Sequence, residues 1–231
     1  MTTRFLKLLV LGRGKTGSLV AEIARERRHQ VQSIGAANNP HASWLTAENL
    51  HEFDVVIDFT RPDAVLANIE ACVQARKNMV VGTTGWYGAI DNVRQAVDQQ
   101  GTGFVFGANF SYGVNLFLQI AQSAAPALVR GYHGHITERH HIHKKDAPSG
   151  TAVAIQRVLE QASGTQVDIS SEREGDVTGT HVLELTSAGD RIVLTHDARS
   201  RRTFAEGAVL AAEWIAAKQG FFDFKDVFAR L

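Results

Sequence analysis

The chain has 231 residues, 44% of them hydrophobic, with Lys+Arg and Asp+Glu balanced at 24 each. That is enough apolar material for one domain or two small ones, and with no global basic field nucleic acid is a poor fit. The single cysteine, Cys72, allows no internal disulfide, no apolar run is long enough to cross a bilayer, and Met1–Lys7 lacks the pattern of a signal peptide, so the expectation is a soluble cytoplasmic protein without membrane contact.

Phe5 to Leu11 is a near-continuous apolar run broken only by Lys7. Such a run fits a strand buried on both faces of a parallel sheet. It ends in Gly12-Arg13-Gly14-Lys15-Thr16-Gly17 and passes into a helical pattern with Leu19, Val20, Ile23 and Ala24 on one side. Strand, G-x-G-x-x-G, then helix is the context of a dinucleotide-binding turn. The first glycine serves the tight turn, the second lets the backbone reach a pyrophosphate, and the third lets helix and strand pack closely. Val31 to Ile34 reads as a second strand, and the segment after it, Gly35-Ala36-Ala37-Asn38-Asn39-Pro40, holds no Asp or Glu. An acidic residue there would repel a ribose 2′-phosphate, and Arg13 can help to hold one. The cofactor expectation is therefore NADPH, with NADH as the alternative. Lys15 taken alone reads as a solvated loop charge.

Asp54 to Thr60 is a third strand, Pro62 suits the first turn of a helix, and Val65, Ile69, Cys72 and Val73 mark that helix's inner face. Cys72 reads as a core residue. Met79-Val80-Val81 is a fourth strand ending in Gly82-Thr83-Thr84-Gly85, small and hydroxyl residues that suit a ligand crevice. Ile90, Val93 and Val97 support a further helix, and Gly103 to Phe106 is a fifth strand. Strand–helix units in succession predict an α/β fold with a doubly wound parallel sheet.

The character then changes. Val114 to Leu128 has helical spacing, Tyr132 to Glu138 alternates like a strand, and Val167 to Ile169 suggests a short strand. Ser171 to Asp176 reads as a loop, and His181–Thr186 with Arg191–His196 as a hairpin. This region predicts an α+β layer with one sheet face free to pack on another subunit. Phe204 to Gln219 is a final amphipathic helix, and the aromatic tail Phe221-Phe222-Asp223-Phe224 is expected to fold back on the first domain.

Between them lies the most informative stretch, Glu138-Arg139-His140-His141-Ile142-His143-Lys144-Lys145-Asp146-Ala147-Pro148-Ser149-Gly150-Thr151, which runs into the helical pattern Ala152–Leu159. A helix start is an anion site, because its first N–H groups are free and the dipole is positive there. Ser149 or Thr151 adds a hydroxyl, Gly150 allows close approach, Lys144 adds a charge, and an imidazole of His140 or His141 can move a proton near neutral pH. The set describes a pocket for a small carboxylate that must also be protonated. A metal reading of His133, His135, His140, His141 and His143 is not favoured: no Cys accompanies them, no ligand spacing with a mechanism is present, and Lys144 and Lys145 would repel a dication.

These residues resemble the 4-hydroxy-tetrahydrodipicolinate reductase (dihydrodipicolinate reductase) family of diaminopimelate and lysine biosynthesis. The likeness is densest in Glu138-x-His140-His141-x-x-Lys144-x-Asp146-Ala147-Pro148-Ser149-Gly150-Thr151-Ala152. Gly82–Gly85, Ala108-Asn109-Phe110-Ser111-x-Gly113-Val114-Asn115, Gly175-Asp176 and Ser200-Arg201-x-Thr203-Phe204-Ala205-x-Gly207-Ala208 support it. The resemblance implies a Rossmann domain (residues 1–110 and 203–231) closed by the C-terminal helix. It also implies an inserted substrate and oligomerisation domain (111–202) that builds a homotetramer. By the same resemblance His140 is the proton donor and acceptor and Lys144 the catalytic lysine, while His141, Gly150 and Thr151 contact a dicarboxylate substrate. The cofactor would touch Gly12–Gly17, Gly82–Thr84 and Gly107, Ala108, Asn109 and Phe110. The readings weighed beside this one are another two-domain Rossmann dehydrogenase of a small acid, and a non-enzymatic nucleotide- or metal-binding module.

Overall fold

The computed structural model describes residues 5–231; the reading of the leading segment, where it falls on Met1–Arg4, lies outside the described residues. In chain order the first elements are β1 (Lys7–Leu11), α1 (Lys15–Glu26), β2 (Gln30–Ile34), the single turn α2 (Ala47–Leu50), β3 (Val55–Asp58), α3 (Val65–Gln74), β4 (Asn78–Val81), α4 (Ile90–Gln100) and β5 (Gly103–Phe106). Next come α5 (Tyr112–Ala124), β6 (His133–His140), α6 (Gly150–Ser163), β7 (Asp168–Arg173), β8 (Thr180–Thr186) and β9 (Arg191–Asp197). The chain closes with α7 (Arg202–Ile215), β10 (Gly220–Asp223) and α8 (Phe224–Val227). It divides into two compact units, one running up to Tyr112 and resuming as Arg202–Leu231, the other Gly113–Arg201. The junctions expected after 110 and after 202 therefore fall after 112 and after 201.

The first unit is a six-stranded sheet in the order β10-β5-β4-β3-β1-β2, with every neighbouring pair parallel. Alternation along each strand sends side chains to both faces, and here both faces are buried. Leu8 and Val10, Val55 and Ile57, Val80 and Val105 meet α1 and α7. Leu9 and Leu11, Val56, Met79, Val81, Phe104 and Phe106 meet the opposite layer, where α3 and α4 contribute Val65, Ile69, Cys72, Val73, Val93 and Val97. This double burial is why the strands read as unbroken apolar runs rather than as alternation. Each fully buried Val, Leu or Ile contributes about 1.5–3 kcal/mol relative to exposure. Cys72 is fully buried in the same layer, and burial pushes its thiol pKa up, so it packs as a core residue.

The structure departs from the sequence expectations at several ends. The helix read through Gln219 stops at Ile215, and the aromatic tail supplies a sixth strand, with Phe221 opposite Phe104 and Phe222 opposite Val105. Pro62 lies in a turn before α3, closed by the Val65 N–H donating to the Arg61 carbonyl at 3.1 Å. The helical run expected to Leu128 turns into a 3₁₀ segment, Ala125–Arg130, at Pro126, which lacks the N–H that an α-helix needs. Finally, Ser171 to Arg173 is not loop but the second half of β7.

The second unit is a four-stranded mixed sheet, order β7-β6-β8-β9, with β6 and β7 parallel and the other pairs antiparallel. One face carries Ile136, Leu183 and Leu185 against α5 and α6 through Phe117, Ala121, Ala152, Ile155 and Leu159. The other face carries His133, His135, Thr137, Arg139, Val182, Glu184, Val193 and Thr195, all exposed or half-buried. Among the described residues no helix is long and apolar enough to cross a membrane.

Gly207 in α7 tests the packing of the first unit. A Cβ at this position would lie 1.8 Å from the Phe110 carbonyl oxygen, a backbone atom that cannot swing away. Gly207→Ala should cost at least the about 1–3 kcal/mol of an overpacked core. Thermal denaturation should show a Tm lowered by at least about 2–4 °C, and an unchanged Tm would contradict this close approach.

Candidate active site

In the first unit the glycine turn forms the floor of a crevice at the C-terminal ends of β1 and β3. Gly12 has φ +100°, which favours glycine, and a Cβ there would sit 2.1 Å from the Phe59 carbonyl oxygen. Gly17 lies equally close to the turn: a Cβ would be 2.3 Å from the Gly12 oxygen. Helix α1 starts at Gly14 with no side-chain cap, so its first N–H groups remain open to an anion. A cleft of about 270 Å³ is lined by Gly12, Arg13, Gly14, Gly35, Ala36 and Asn39 among others. Arg13 crosses the end of β2, its guanidinium donating to the Ser33 carbonyl at 2.8 Å. A second cleft of about 330 Å³ brings Gly14, Lys15 and Thr16 together with Gly82, Thr83 and Thr84. Residues far apart in sequence thus line one cleft.

One organiser of this crevice was not foreseen. Asp58, at the end of β3, is fully buried and accepts hydrogen bonds from Thr60 N–H (3.0 Å) and Thr60 Oγ1 (2.7 Å), Thr83 Oγ1 (2.7 Å) and Asn68 Nδ2 (2.8 Å). It ties the β3 and β4 loops to α3. Burial pushes its carboxyl pKa up, against the pull of those hydrogen bonds. The terminal acid of the run Val-Val-Ile-Asp was the available sign. The turn after β5 is mixed: Ala108 is exposed and Asn109 half-buried, whereas Phe110 is 2% exposed and packs between Phe59 and Phe224. Phe110 is a core residue whose backbone alone borders the turn.

In the second unit alternation along β6 separates the histidines. His133 and His135 fall on the outer face, while Glu138 and His140 point to the covered face. Glu138 is fully buried. One of its oxygens pairs with His140 Nδ1, and the other accepts from Arg173 at 3.0 Å. Arg173 also reaches the Asp146 carbonyl at 2.7 Å and the Lys144 carbonyl at 3.4 Å. Lys144 is partly exposed, with its ammonium on both oxygens of the exposed Asp146 at 2.7 and 2.8 Å. Ser149 caps α6: its Oγ accepts the Ala152 N–H at 3.2 Å, and its carbonyl accepts the Val153 N–H at 3.0 Å. The same Oγ pairs with His181 Nε2 at 2.9 Å, so this hydroxyl has two protein partners. Of the first-turn donors of α6, the N–H groups of Gly150 and Thr151 are the ones left over. His141 is half-buried and His143 exposed.

The charges around His140 oppose one another. Burial lowers its pKa, the Glu138 carboxylate raises it, and Lys144 and Arg173 lower it again; the net direction is down. Burial alone would raise the Glu138 carboxyl, yet hydrogen bonds from Ser171, His140 and Arg173 hold it below its ordinary value. His181, opposite Glu138 in the register, is pushed down to about 4 by burial, then by His140, His196 and Lys144. Glu138, His140 and His181 each place a donor atom within 4.8 Å of the others, a geometry compatible with a metal ion. Each of these groups is already hydrogen-bonded, and the Arg173 guanidinium occupies the carboxylate where a dication would have to bind. Of the residues singled out in the sequence, His140 pairs with the buried Glu138, Lys144 lies in the loop whose carbonyls Arg173 holds, and Ser149, Gly150 and Thr151 open α6. Arg173 and His181 join them without having been singled out.

Two family models cover most of the chain: dihydrodipicolinate reductase, N-terminus, over residues 6–110, and dihydrodipicolinate reductase, C-terminus, over residues 113–228. The chain is 36% identical over 242 residues to the 4-hydroxy-tetrahydrodipicolinate reductase of Christiangramia forsetii, covering 98% of this chain and 99% of that protein. It is 39% identical over 198 residues to the enzyme of the same name from Neisseria gonorrhoeae, covering 77% and 73%. Among solved structures, the dipicolinate-bound dihydrodipicolinate reductase from Paenisporosarcina sp. TG-14 shares the fold with a TM-score of 0.81 at 21% identity, over 97% of this chain and 100% of that one.

The buried His181 makes stability depend on pH. A histidine whose folded pKa lies below its unfolded value must lose stability as pH falls through that interval, because the unfolded chain binds more protons there. With a folded value of about 4 against the ordinary value of 6.5, chemical denaturation should show stability falling between about pH 6.5 and 4, by up to roughly 3 kcal/mol from this residue. His181→Gln should flatten that slope; an unaltered slope would show that other groups carry it.

Proposed function

Because the chain belongs to the dihydrodipicolinate reductase family, oxidoreductases of diaminopimelate and lysine biosynthesis, we propose that it reduces 4-hydroxy-tetrahydrodipicolinate with NADPH, grips the substrate at the start of α6, and moves the proton through His140 assisted by Lys144. The observation that carries the assignment of the site is the pairing of His140 with a buried carboxylate beside a helix start that has two unclaimed N–H groups.

The first unit fits a nicotinamide dinucleotide. The uncapped start of α1, the positive φ of Gly12 and the missing Cβ of Gly17 leave room for a pyrophosphate against the backbone. Gly82, Thr83 and Thr84 face the same cleft as Lys15 and Thr16. Bound NADPH supplies the hydride for an electron-poor ring carbon of the substrate. The preference for NADPH rests on the Gly35–Asn39 segment, which presents no carboxylate, and on Arg13 lying over the end of β2.

In the second unit Gly150 and Thr151 offer N–H groups, and Thr151 a hydroxyl, to a substrate carboxylate, with His141 at the margin. Lys144 adds its charge. Its present partner, Asp146, is exposed, and an exposed ion pair is worth only about 0–1 kcal/mol, so a carboxylate ligand can take over the ammonium at small cost. Loss of the substrate's hydroxyl as water leaves a conjugated imine, hydride addition to it builds carbanion character on the ring carbon two bonds from the nitrogen, and with Nδ1 of His140 held by Glu138, Nε2 is the atom that gives its proton to that carbon. The half-exposed outer face of the second sheet supports assembly into a homotetramer, which light scattering on the purified protein would test.

The reaction is tested by making the substrate in situ from pyruvate and aspartate semialdehyde with the preceding enzyme, then following nicotinamide absorbance. Oxidation of NADPH, and of NADH less efficiently, is expected; oxidation of neither would overturn the reading. His140→Ala should lower kcat by about 10²–10⁴-fold, whereas Thr151→Val should mainly raise KM for the substrate. Arg13→Ala should raise KM for NADPH about tenfold, the equivalent of one charge-assisted contact of ~1.4 kcal/mol, and leave KM for NADH nearly unchanged. Equal effects on both cofactors would remove Arg13 from the phosphate site.

A further inference from the structure

The residue that joins the parts of this site is Arg173. It lies in the second half of β7, next to His140 in the parallel register of β6 and β7. Its guanidinium has partners in two directions. Inward, it meets the Glu138 oxygen that His140 does not use, at 3.0 Å. Outward, it holds the carbonyls of Lys144 and Asp146, which bracket the lysine's loop, and that of Glu172 at 2.5 Å. A planar fork with fixed donors suits this bridging in a way that a flexible ammonium does not.

The physical need for such a bridge is clear. Glu138 is fully buried, and a buried carboxylate without a counter-charge is strongly unfavourable. Arg173 supplies that charge and leaves the second oxygen free to accept from His140 Nδ1. A donor at Nδ1 fixes the tautomer, so the exchangeable proton of His140 sits on Nε2. The groups that face His140 are Glu138 from its own strand, Arg173 from β7, His181 from β8 and Lys144 from the following loop. Glu138 alone among them carries a negative charge.

We propose that Glu138 and Arg173 act as a positioning pair, in which Glu138 sets the tautomer and charge of His140 while Arg173 anchors both Glu138 and the Lys144 loop, so that one guanidinium fixes the two proton-handling groups together. The inference rests on the reading of His140 as the proton-transfer residue. Neither member of the pair touches substrate. Each acts through the residue that it holds. In the step itself the Nε2–H bond of His140 breaks, the proton goes to the substrate carbon, and the electron pair stays on the now neutral imidazole. Solvent returns the proton, and Glu138 stays ionised throughout.

The test combines kinetics with ¹⁵N NMR of the histidine rings in the full-length protein. In the unaltered protein neutral His140 should show the Nδ1–H tautomer, and an Nε2–H tautomer would overturn the proposal whether or not any variant folds. Glu138→Gln keeps the shape and removes the charge. It should lower kcat by about 10²-fold or more while KM for substrate and cofactor changes less than about threefold. The pH above which kcat declines should move down by about one to two units, because the only charge favouring the imidazolium has gone. Arg173→Lys retains the charge but cannot span Glu138 and both carbonyls, so it should lower kcat about tenfold or more with a smaller shift of the profile. A purely structural role would lower Tm and yield of active protein yet leave the pH profile in place, and that outcome would overturn the proposal. His140→Ala is run in parallel. If it retains turnover, the proton assignment fails; if it loses turnover while folded Glu138→Gln keeps both rate and profile, only the positioning pair fails.

Discussion

Glu138 places a full negative charge on the covered face of a sheet that also carries Ile136, Leu183 and Leu185 there. Such a charge is tolerated only if its hydrogen-bonding capacity is met and a cation balances it. Two oxygens and three kinds of donor answer that demand: an imidazole two residues along the strand, a guanidinium from the neighbouring strand and the Ser171 contribution from β7. The rest of the second unit's polar architecture follows. His140 is turned by Glu138, the Lys144 loop is drawn in by Arg173, and His181 stays neutral beside them, where it meets the Ser149 cap of α6.

The first unit contains a comparable device with different chemistry. Asp58 is also fully buried at a strand end, but its partners are neutral: two threonines and an asparagine. The two carboxyls consequently move in opposite directions, Asp58 upward under burial and Glu138 downward under hydrogen bonds that include a guanidinium. Asp58 gathers the loops after β3 and β4 beside the glycine turn. Glu138 gathers an imidazole and a guanidinium. Environment, not residue type, separates the roles.

The helix starts differ in the same spirit. Helix α1 begins at a glycine without a side-chain cap and leaves its donors to whatever anion arrives. Helix α6 begins at a serine that satisfies two N–H groups internally and leaves two. The two starts therefore offer an anion different numbers of free donors.

Much of this was legible in the residues alone. Strands buried on both faces must be apolar at every position, so β1, β3, β4 and β5 announced themselves, and a turn with the Gly12-x-Gly14-x-x-Gly17 spacing can pack in few ways. The run from His140 to Thr151 stood out because a helix start, a lysine and an imidazole lie within one short segment. What the sequence could not display were partnerships made across strands. The segment around Arg173 looked like a loop because β7 is an edge strand with most of its residues exposed, so no apolar alternation marks it. The aromatic tail hid β10 for a related reason: four residues at an edge take their conformation from pairing with β5 rather than from local pattern. Chain-local signals thus determined most of the elements and singled out the His140–Thr151 segment, because helix starts, turns and double burial leave their trace in consecutive residues. The tertiary structure alone decided which buried carboxylate holds His140 and which guanidinium balances it, because a charge inside a protein is satisfied by whatever is near in space.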